Sequence, residues 1–224
     1  MFNSTGVRLL SSQIQDMDAG MNDYQREQKQ ALDQVTDKIN IIKSADDSEL
    51  VREIASYLQF RQTLGKFMSE HFGRFCSQAC FQSQTSACCS RDGIITFWSD
   101  LVINVFVSAR RRTGRLAQAI ENPLWPHKCI YLGPQGCLWE VPPLGCALFL
   151  CDAVQAEVLD REPSLKSEWE NLKRKGMAYR WPDRPVLFDR LEQIFMAAGC
   201  RSPLMYINTS PGLLRIKRKS GLSV

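Results

Sequence analysis

The sequence predicts a mainly α protein, with a helical hairpin and a helical core around an irregular, loop-rich cysteine metal site. Three observations indicate this fold class. Apolar residues recur at helical spacing in several segments of the chain. Eight of the nine cysteines fall between Cys76 and Cys151, in two groups of four. The second group lies in a stretch rich in Gly and Pro and poor in periodicity, which is typical of loops.

The chain divides into four predicted regions. Residues 1–20 are polar and mixed, which favours a disordered lead. Residues 21–72 form a helical hairpin or coiled-coil arm, and residues 73–200 form the cysteine-cluster metal-binding domain. Residues 201–224 carry basic side chains and no acid, and we expect a basic C-terminal tail, with 213–219 as a short strand or trailing chain.

The arm begins with a helix over about 21–43. Its apolar residues Leu32, Val35, Ile39 and Ile42 follow heptad spacing. The pattern lasts barely three heptads, so two interpretations stay open. The helix packs on its own domain, or it joins a second copy or another protein partner. A second helix, capped by Asp46 or Asp47, then runs to about residue 72.

Helices are also predicted in the core. Residues 94–121 have apolar side chains around most of the circumference, which favours a largely buried helix that Gly114 interrupts. Further helices are expected at 146–159, 164–175 and 186–198, the last closed by Gly199. Four arginines in the first helix suggest a solvated basic face rather than a nucleic-acid site, since no aromatic residues are interleaved: Arg110, Arg111, Arg112 and Arg115.

The cysteines allow three interpretations: disulfides, a metal site or buried thiols. Disulfides are disfavoured because the start of the chain lacks the apolar stretch of a signal peptide and the total of nine is odd. Chance burial does not explain two groups of four. We therefore favour a metal site formed by both groups, with these candidate ligands: Cys76, Cys80, Cys88, Cys89, Cys129, Cys137, Cys146 and Cys151.

All-sulfur ligation suits zinc or an iron–sulfur cluster, and the residues do not distinguish the two. Adjacent Cys88 and Cys89 rarely serve one mononuclear metal together, because neighbouring side chains diverge. His127 lies two residues before Cys129 and is a ligand or an exposed side chain. Cys200 stands outside both groups, and we interpret it as a packed thiol.

The cysteine pattern resembles the YkgJ-type cysteine-cluster family, a zinc- or iron-chelating domain with eight cysteines. The resemblance covers about residues 70–155. Besides the eight cysteines, the positions that match the family pattern are Gly136, Trp139, Pro143 and Phe149. It implies metal chelation by the eight cysteines. The family includes flagellin lysine methylases, which implies an iron–sulfur-dependent redox or methyl-transfer enzyme as an alternative function.

Two features depart from the family pattern. The spacings in the first group are longer, and Pro142 and Ala147 stand where the family has arginines. A role that those arginines have in the family is therefore not implied for this chain.

Composition excludes several function classes. A net charge of +4 over 224 residues demands neither nucleic acid nor a membrane surface as a partner. No apolar run reaches the length of a membrane span, and reduced thiols favour the cytoplasm. Motifs of nucleotide-binding and hydrolytic enzymes are missing from the sequence. The predicted function is metal binding, with enzyme activity undecided and a coiled-coil interaction protein with structural thiols as a further alternative.

Overall fold

A computed structural model describes residues 20–44, 46–82, 89–90 and 96–224, without the side chains of Ala79 and Cys80. The predicted lead over 1–20 lies outside these residues except for Gly20. The described chain is mainly α, as the sequence predicted. None of its helices is long and apolar enough to cross a membrane.

The elements are mostly helices of very different lengths. In the first half of the chain they are α1 (Asp23–Lys38), α2 (Asn40–Lys43), α3 (Ser48–Arg74), the π-helix π1 (Phe75–Phe81), α4 (Trp98–Val107) and α5 (Arg110–Glu121). In the second half they are β1 (Leu132–Gly133), β2 (Gly136–Cys137), α6 (Leu144–Ala147), α7 (Asp152–Val154), π2 (Gln155–Leu159), α8 (Pro163–Arg180), α9 (Leu187–Ala197), α10 (Tyr206–Thr209) and α11 (Pro211–Lys219).

Helix α4 is the centre of the core. Every residue from Trp98 to Val105 is buried, which confirms the prediction of a largely buried helix. Helices α1 and α9 both pack against α4, and α5 packs against α1. The Ser99 hydroxyl fixes the contact with α9 by donating a hydrogen bond to the Phe188 carbonyl, at 2.9 Å.

The heptad residues of α1 and α2 are buried inside the same chain: Leu32, Val35, Ile39 and Ile42. The heptad face of the helical arm therefore packs within the same chain. Helix α3 packs against α8 and α9 rather than along α1.

Several local signals act as the sequence predicted. The Asp47 carboxylate caps α3 by accepting a hydrogen bond from the Leu50 N–H at 2.9 Å. Gly136, the first residue of β2, has a φ of 113°, and Gly199 has a φ of 86° after α9. Both angles lie in the region that glycine enters without steric cost.

The helix predicted to end at about residue 72 continues through Arg74 and then as π1. Tertiary packing explains the difference, because Phe72 is fully buried and meets Trp169 of α8 edge-on, with ring centroids 6.3 Å apart. Cys76 consequently lies on a helical turn. Short π-helical segments are frequent at functional sites.

The single helix predicted over 94–121 is wrong, since the chain forms α4 and α5 with Ser108 and Ala109 extended between them. Gly114 lies inside α5 and does not break it. The break separates a helix buried on all sides from one that buries a single face, through Thr113, Leu116 and Ile120. The four predicted basic-face arginines of α5 are exposed.

The helix predicted over 146–159 is also wrong. Three short pieces, α6, α7 and π2, replace it, and Leu148–Cys151 between them are not regular helix apart from one turn residue. The buried residues Leu144, Leu150, Val154 and Leu159 are four to six positions apart. Such spacing cannot place all four on one stripe of a continuous α-helix.

The short strand or trailing chain expected over 213–219 is replaced by α11. Lys217 is only 1% exposed, and its ammonium group donates to Asp189 Oδ1 at 2.6 Å and to Asn208 Oδ1 at 2.8 Å. Next to this pair, the fully buried Glu192 carboxylate accepts hydrogen bonds from the Asn208 backbone and side-chain N–H groups. A buried polar cluster therefore fixes α11 on α9.

Glu192 makes stability depend on pH. Burial raises the pKa of its carboxyl from 4.5 to about 7. Because the folded state then binds more protons than the unfolded state, the free energy of unfolding should fall as pH rises from about 4.5 to about 7, by up to about 3 kcal/mol. Urea unfolding of wild type and Glu192→Gln across this range measures the difference.

The Glu192→Gln variant should lack this contribution, because glutamine does not titrate and can keep the two bonds to Asn208. Glu168→Gln, at an exposed position of α8, is the matched control. Parallel pH profiles for wild type and Glu192→Gln would contradict the prediction.

Candidate functional site

Helix α4 holds the second cysteine segment through two polar side chains one turn apart. Asn104 Oδ1 accepts hydrogen bonds from the N–H groups of Glu140, at 2.9 Å, and Val141, at 3.1 Å. Asp100 Oδ1 accepts from the Leu144 N–H at 2.9 Å. These N–H groups need such acceptors, because the segment is irregular and no strand or helix partner supplies them. Residues 140–144 are thereby fixed on the core.

Burial shifts the pKa of Asp100, the acidic member of this pair. Asp100 is 2% exposed, and burial raises the pKa of its carboxyl to about 6, against the opposing effect of the N–H groups of Leu144 and Phe97. Its second oxygen accepts the Phe97 N–H at 3.0 Å and so closes the first turn of α4. One carboxylate thus serves both the start of α4 and the loop beside it.

Two further hydrogen bonds tie this segment to other helices. Arg61 of α3 donates to the Pro142 carbonyl at 2.7 Å. The Tyr131 hydroxyl donates to Gln28 Oε1 of α1 at 2.8 Å, and the Tyr131 ring meets Trp139 edge-on at 5.0 Å. Burial raises the pKa of the Tyr131 hydroxyl, and the neighbouring Tyr24, Cys129 and Cys137 add to the shift.

The two cysteine groups meet through the backbone. The Cys129 N–H donates to the Cys89 carbonyl at 2.8 Å, and Ser90 forms an antiparallel bridge with Lys128. Residues forty positions apart in sequence are therefore neighbours. Cys88 and the side chain of Cys80 lie outside the described residues.

A cavity of about 690 Å³ lies where the groups meet. Four of the predicted ligands line it: Cys89, Cys129, Cys137 and Cys146. The facing wall is one side of α3, which contributes Leu58, Arg61, Gln62, Leu64, Gly65 and Met68. The cavity thus brings one cysteine of the first group together with three of the second.

The remaining cysteines have other surroundings. Cys76 is half-buried on π1, and Cys151 is a half-buried thiol that precedes α7. Cys200 is 3% exposed and belongs to the hydrophobic core, where burial raises the pKa of its thiol. His127 is exposed. Within the described ranges, no three side chains of Cys, His, Asp or Glu lie close enough to hold a metal ion.

The sequence-based prediction did not include three residues that shape the site, although two features of the sequence pointed to them. Asp100 and Asn104 are polar residues one turn apart in an otherwise apolar helix, which indicates a buried polar contact. Arg61 stands among apolar residues on the periodic face of α3. Nothing in the sequence indicates what these side chains hold, because their partners lie 36 to 81 positions away.

Comparisons with known proteins found no match for this chain, whether a family model, a curated protein or a solved structure.

Removing the Asn104 anchor should loosen the cysteine segment. Asn104→Ala leaves two backbone N–H groups without an acceptor and should lower the free energy of unfolding by about 2–3 kcal/mol. Amide hydrogen exchange measured by mass spectrometry should accelerate across residues 138–145.

The matched control is Ser99→Ala on the same helix, which removes the bond to Phe188 and should cost about 1 kcal/mol without changing exchange in 138–145. Unchanged exchange in that segment of Asn104→Ala would show that Asn104 does not hold it.

Proposed function

We propose that the protein binds a metal, as a zinc ion or an iron–sulfur cluster, through cysteine thiolates from its two separate groups. The observation that supports this proposal best is the shared cavity, which Cys89, Cys129, Cys137 and Cys146 line. The backbone pairing of Cys89 with Cys129 supports it further, because the contact fixes the two groups side by side.

The donor set suits this chemistry. Thiolate is the preferred ligand of tetrahedral zinc and of iron–sulfur clusters, and four sulfurs complete either site. Zinc–sulfur bonds are about 2.3 Å long, so binding would draw the thiolates inward from the cavity walls. The surrounding backbone is held by Asn104, Asp100 and Arg61, which restricts the movement to the cysteine side chains and their immediate turns.

An enzyme is the second candidate, and the size of the cavity favours it. A space of about 690 Å³ exceeds what one ion fills and leaves room for a reactant next to the thiolates. An iron–sulfur cluster with an open coordination position would then support redox or methyl-transfer chemistry. Since no family model matches the chain, both candidates depend on the cavity and not on family membership.

Metal analysis tests the proposal. Protein purified without oxygen should contain stoichiometric metal by mass spectrometry. A brown protein that absorbs near about 400 nm indicates an iron–sulfur cluster, and a colourless protein with zinc indicates a mononuclear site. Cys137→Ser should lose most of the metal and melt at a lower temperature, since metal binding supplies on the order of 10 kcal/mol to such sites.

Substitutions of cysteines outside the cavity distinguish metal binding at this site from nonspecific metal binding by other thiols. Cys200→Ser is the matched control and should keep the full metal content, because Cys200 lies in the core. Cys151→Ser decides whether the site needs more than the four cysteines of the cavity. Equal metal loss in Cys200→Ser and Cys137→Ser, or wild-type protein that binds neither zinc nor iron, would refute the proposal.

A further inference from the structure

The cavity beside the cysteines has the dimensions of a small-molecule site. Its volume of about 690 Å³ lies within the range of about 300–1,000 Å³ that ligand pockets occupy. Much of its lining apart from the cysteines is apolar and includes Leu58, Leu64, Met68, Val107, Trp139 and Val141. Such walls favour a ligand with an apolar body.

A glycine on α3 keeps part of this space open. Gly65 lies near the middle of a 27-residue helix and lines the cavity. Glycine in a helix interior is about 1 kcal/mol less favourable than alanine, so its position carries a stability cost. A Cβ atom built on Gly65 would have no neighbouring atom within 4 Å. The missing side chain therefore leaves room on the cavity wall.

Arg61 adds a positive charge to the lining, and among the described residues its hydrogen bonds go to neutral oxygens. Its guanidinium donates to the Tyr57 hydroxyl at 2.8 Å and to the Pro142 carbonyl at 2.7 Å, and its buried Nε–H has no acceptor in the described part of the chain. No carboxylate lies within 4.0 Å of it among the described residues. Glu140, on the same lining, pairs instead with Arg112 at 2.7 Å.

Asp100 interacts with Arg61 only at longer range, and both its oxygens already accept backbone N–H groups. Trp139 lies on the same lining and is 4% exposed. Among the described residues, the cationic side chain of Arg61 therefore has no negatively charged partner at hydrogen-bond distance, and a carboxylate in the cavity would supply one.

We propose that the cavity binds a small organic molecule with an apolar body and one carboxylate, which Arg61 holds next to the cysteines. Any reaction of this ligand would take place at the metal centre proposed above, and to that extent the inference rests on the proposed function. Metal binding would offset part of the thiolate charge and so reduce the repulsion of an anion in the same cavity. Binding of the carboxylate to Arg61 does not itself require the metal.

Phenylacetate and its neutral isostere phenylacetamide are the probes, titrated into the full chain by ligand-observed NMR. Wild type should bind phenylacetate at least about tenfold more tightly, because a charge-assisted hydrogen bond contributes more than a neutral one. In Arg61→Gln the two probes should bind alike. Lys66→Gln, at an exposed position of the same helix, should keep the wild-type preference.

Gly65→Leu tests the cavity without changing its charge. The added side chain should weaken phenylacetate about tenfold or more, whereas Gly65→Ala should bind as wild type does. Equal affinity of the two probes for wild type, no binding of either at about 10 mM, or unchanged binding by folded Gly65→Leu would each overturn the proposal.

Metal analysis of the same samples separates this inference from the proposed function. Selective phenylacetate binding by a protein that takes up no metal would support the proposed carboxylate pocket and refute the proposed metal site. Stoichiometric metal without selective phenylacetate binding would keep the metal site and refute the pocket.

Discussion

The site depends on acceptors that α4 supplies to an irregular segment. The N–H groups of Glu140, Val141 and Leu144 have no strand or helix partner, and a buried N–H without an acceptor costs about 1–3 kcal/mol. Asn104 and Asp100 accept all three. Helix α4 is buried on every side, so the core fixes its position. The hydrogen bonds to Asn104 and Asp100 then fix the cysteine segment relative to the core.

The same arrangement buries the Asp100 carboxyl in the core, where water does not solvate it. Burial raises the pKa of Asp100 to about 6, so the charged form is disfavoured relative to an exposed aspartate. The carboxylate is nevertheless suited to its place, because its two oxygens accept N–H groups from separate segments, at Phe97 and Leu144. A neutral amide here would place an NH2 donor where one of the two carboxylate oxygens lies, so one of these N–H groups would lose its acceptor. The hydrogen bonds that this carboxylate accepts stabilise the junction between α4 and the cysteine loop.

The sequence predicted those features that local chemistry determines. The Asp47 cap and the end of α9 at Gly199 each follow from one residue and its backbone. The break at Ser108 and the pieces that replace a helix over 146–159 depend on which surfaces the core covers, and local periodicity does not contain that information. For the site, the cysteines were visible as a pattern. The wall formed by Arg61 and Gly65 was not, because helix packing brings α3 to the loop.

The geometry also bears on how many cysteines one metal centre needs. The resemblance implies eight ligands, but Cys89, Cys129, Cys137 and Cys146 already share one cavity, and four thiolates complete a tetrahedral ion or a four-cysteine cluster. Cys151 lies outside the lining, before α7. The proposed single centre in the cavity would therefore require no second metal. Arg61 and Gly65 line the same cavity, so the proposed centre would leave space there for the proposed carboxylate ligand.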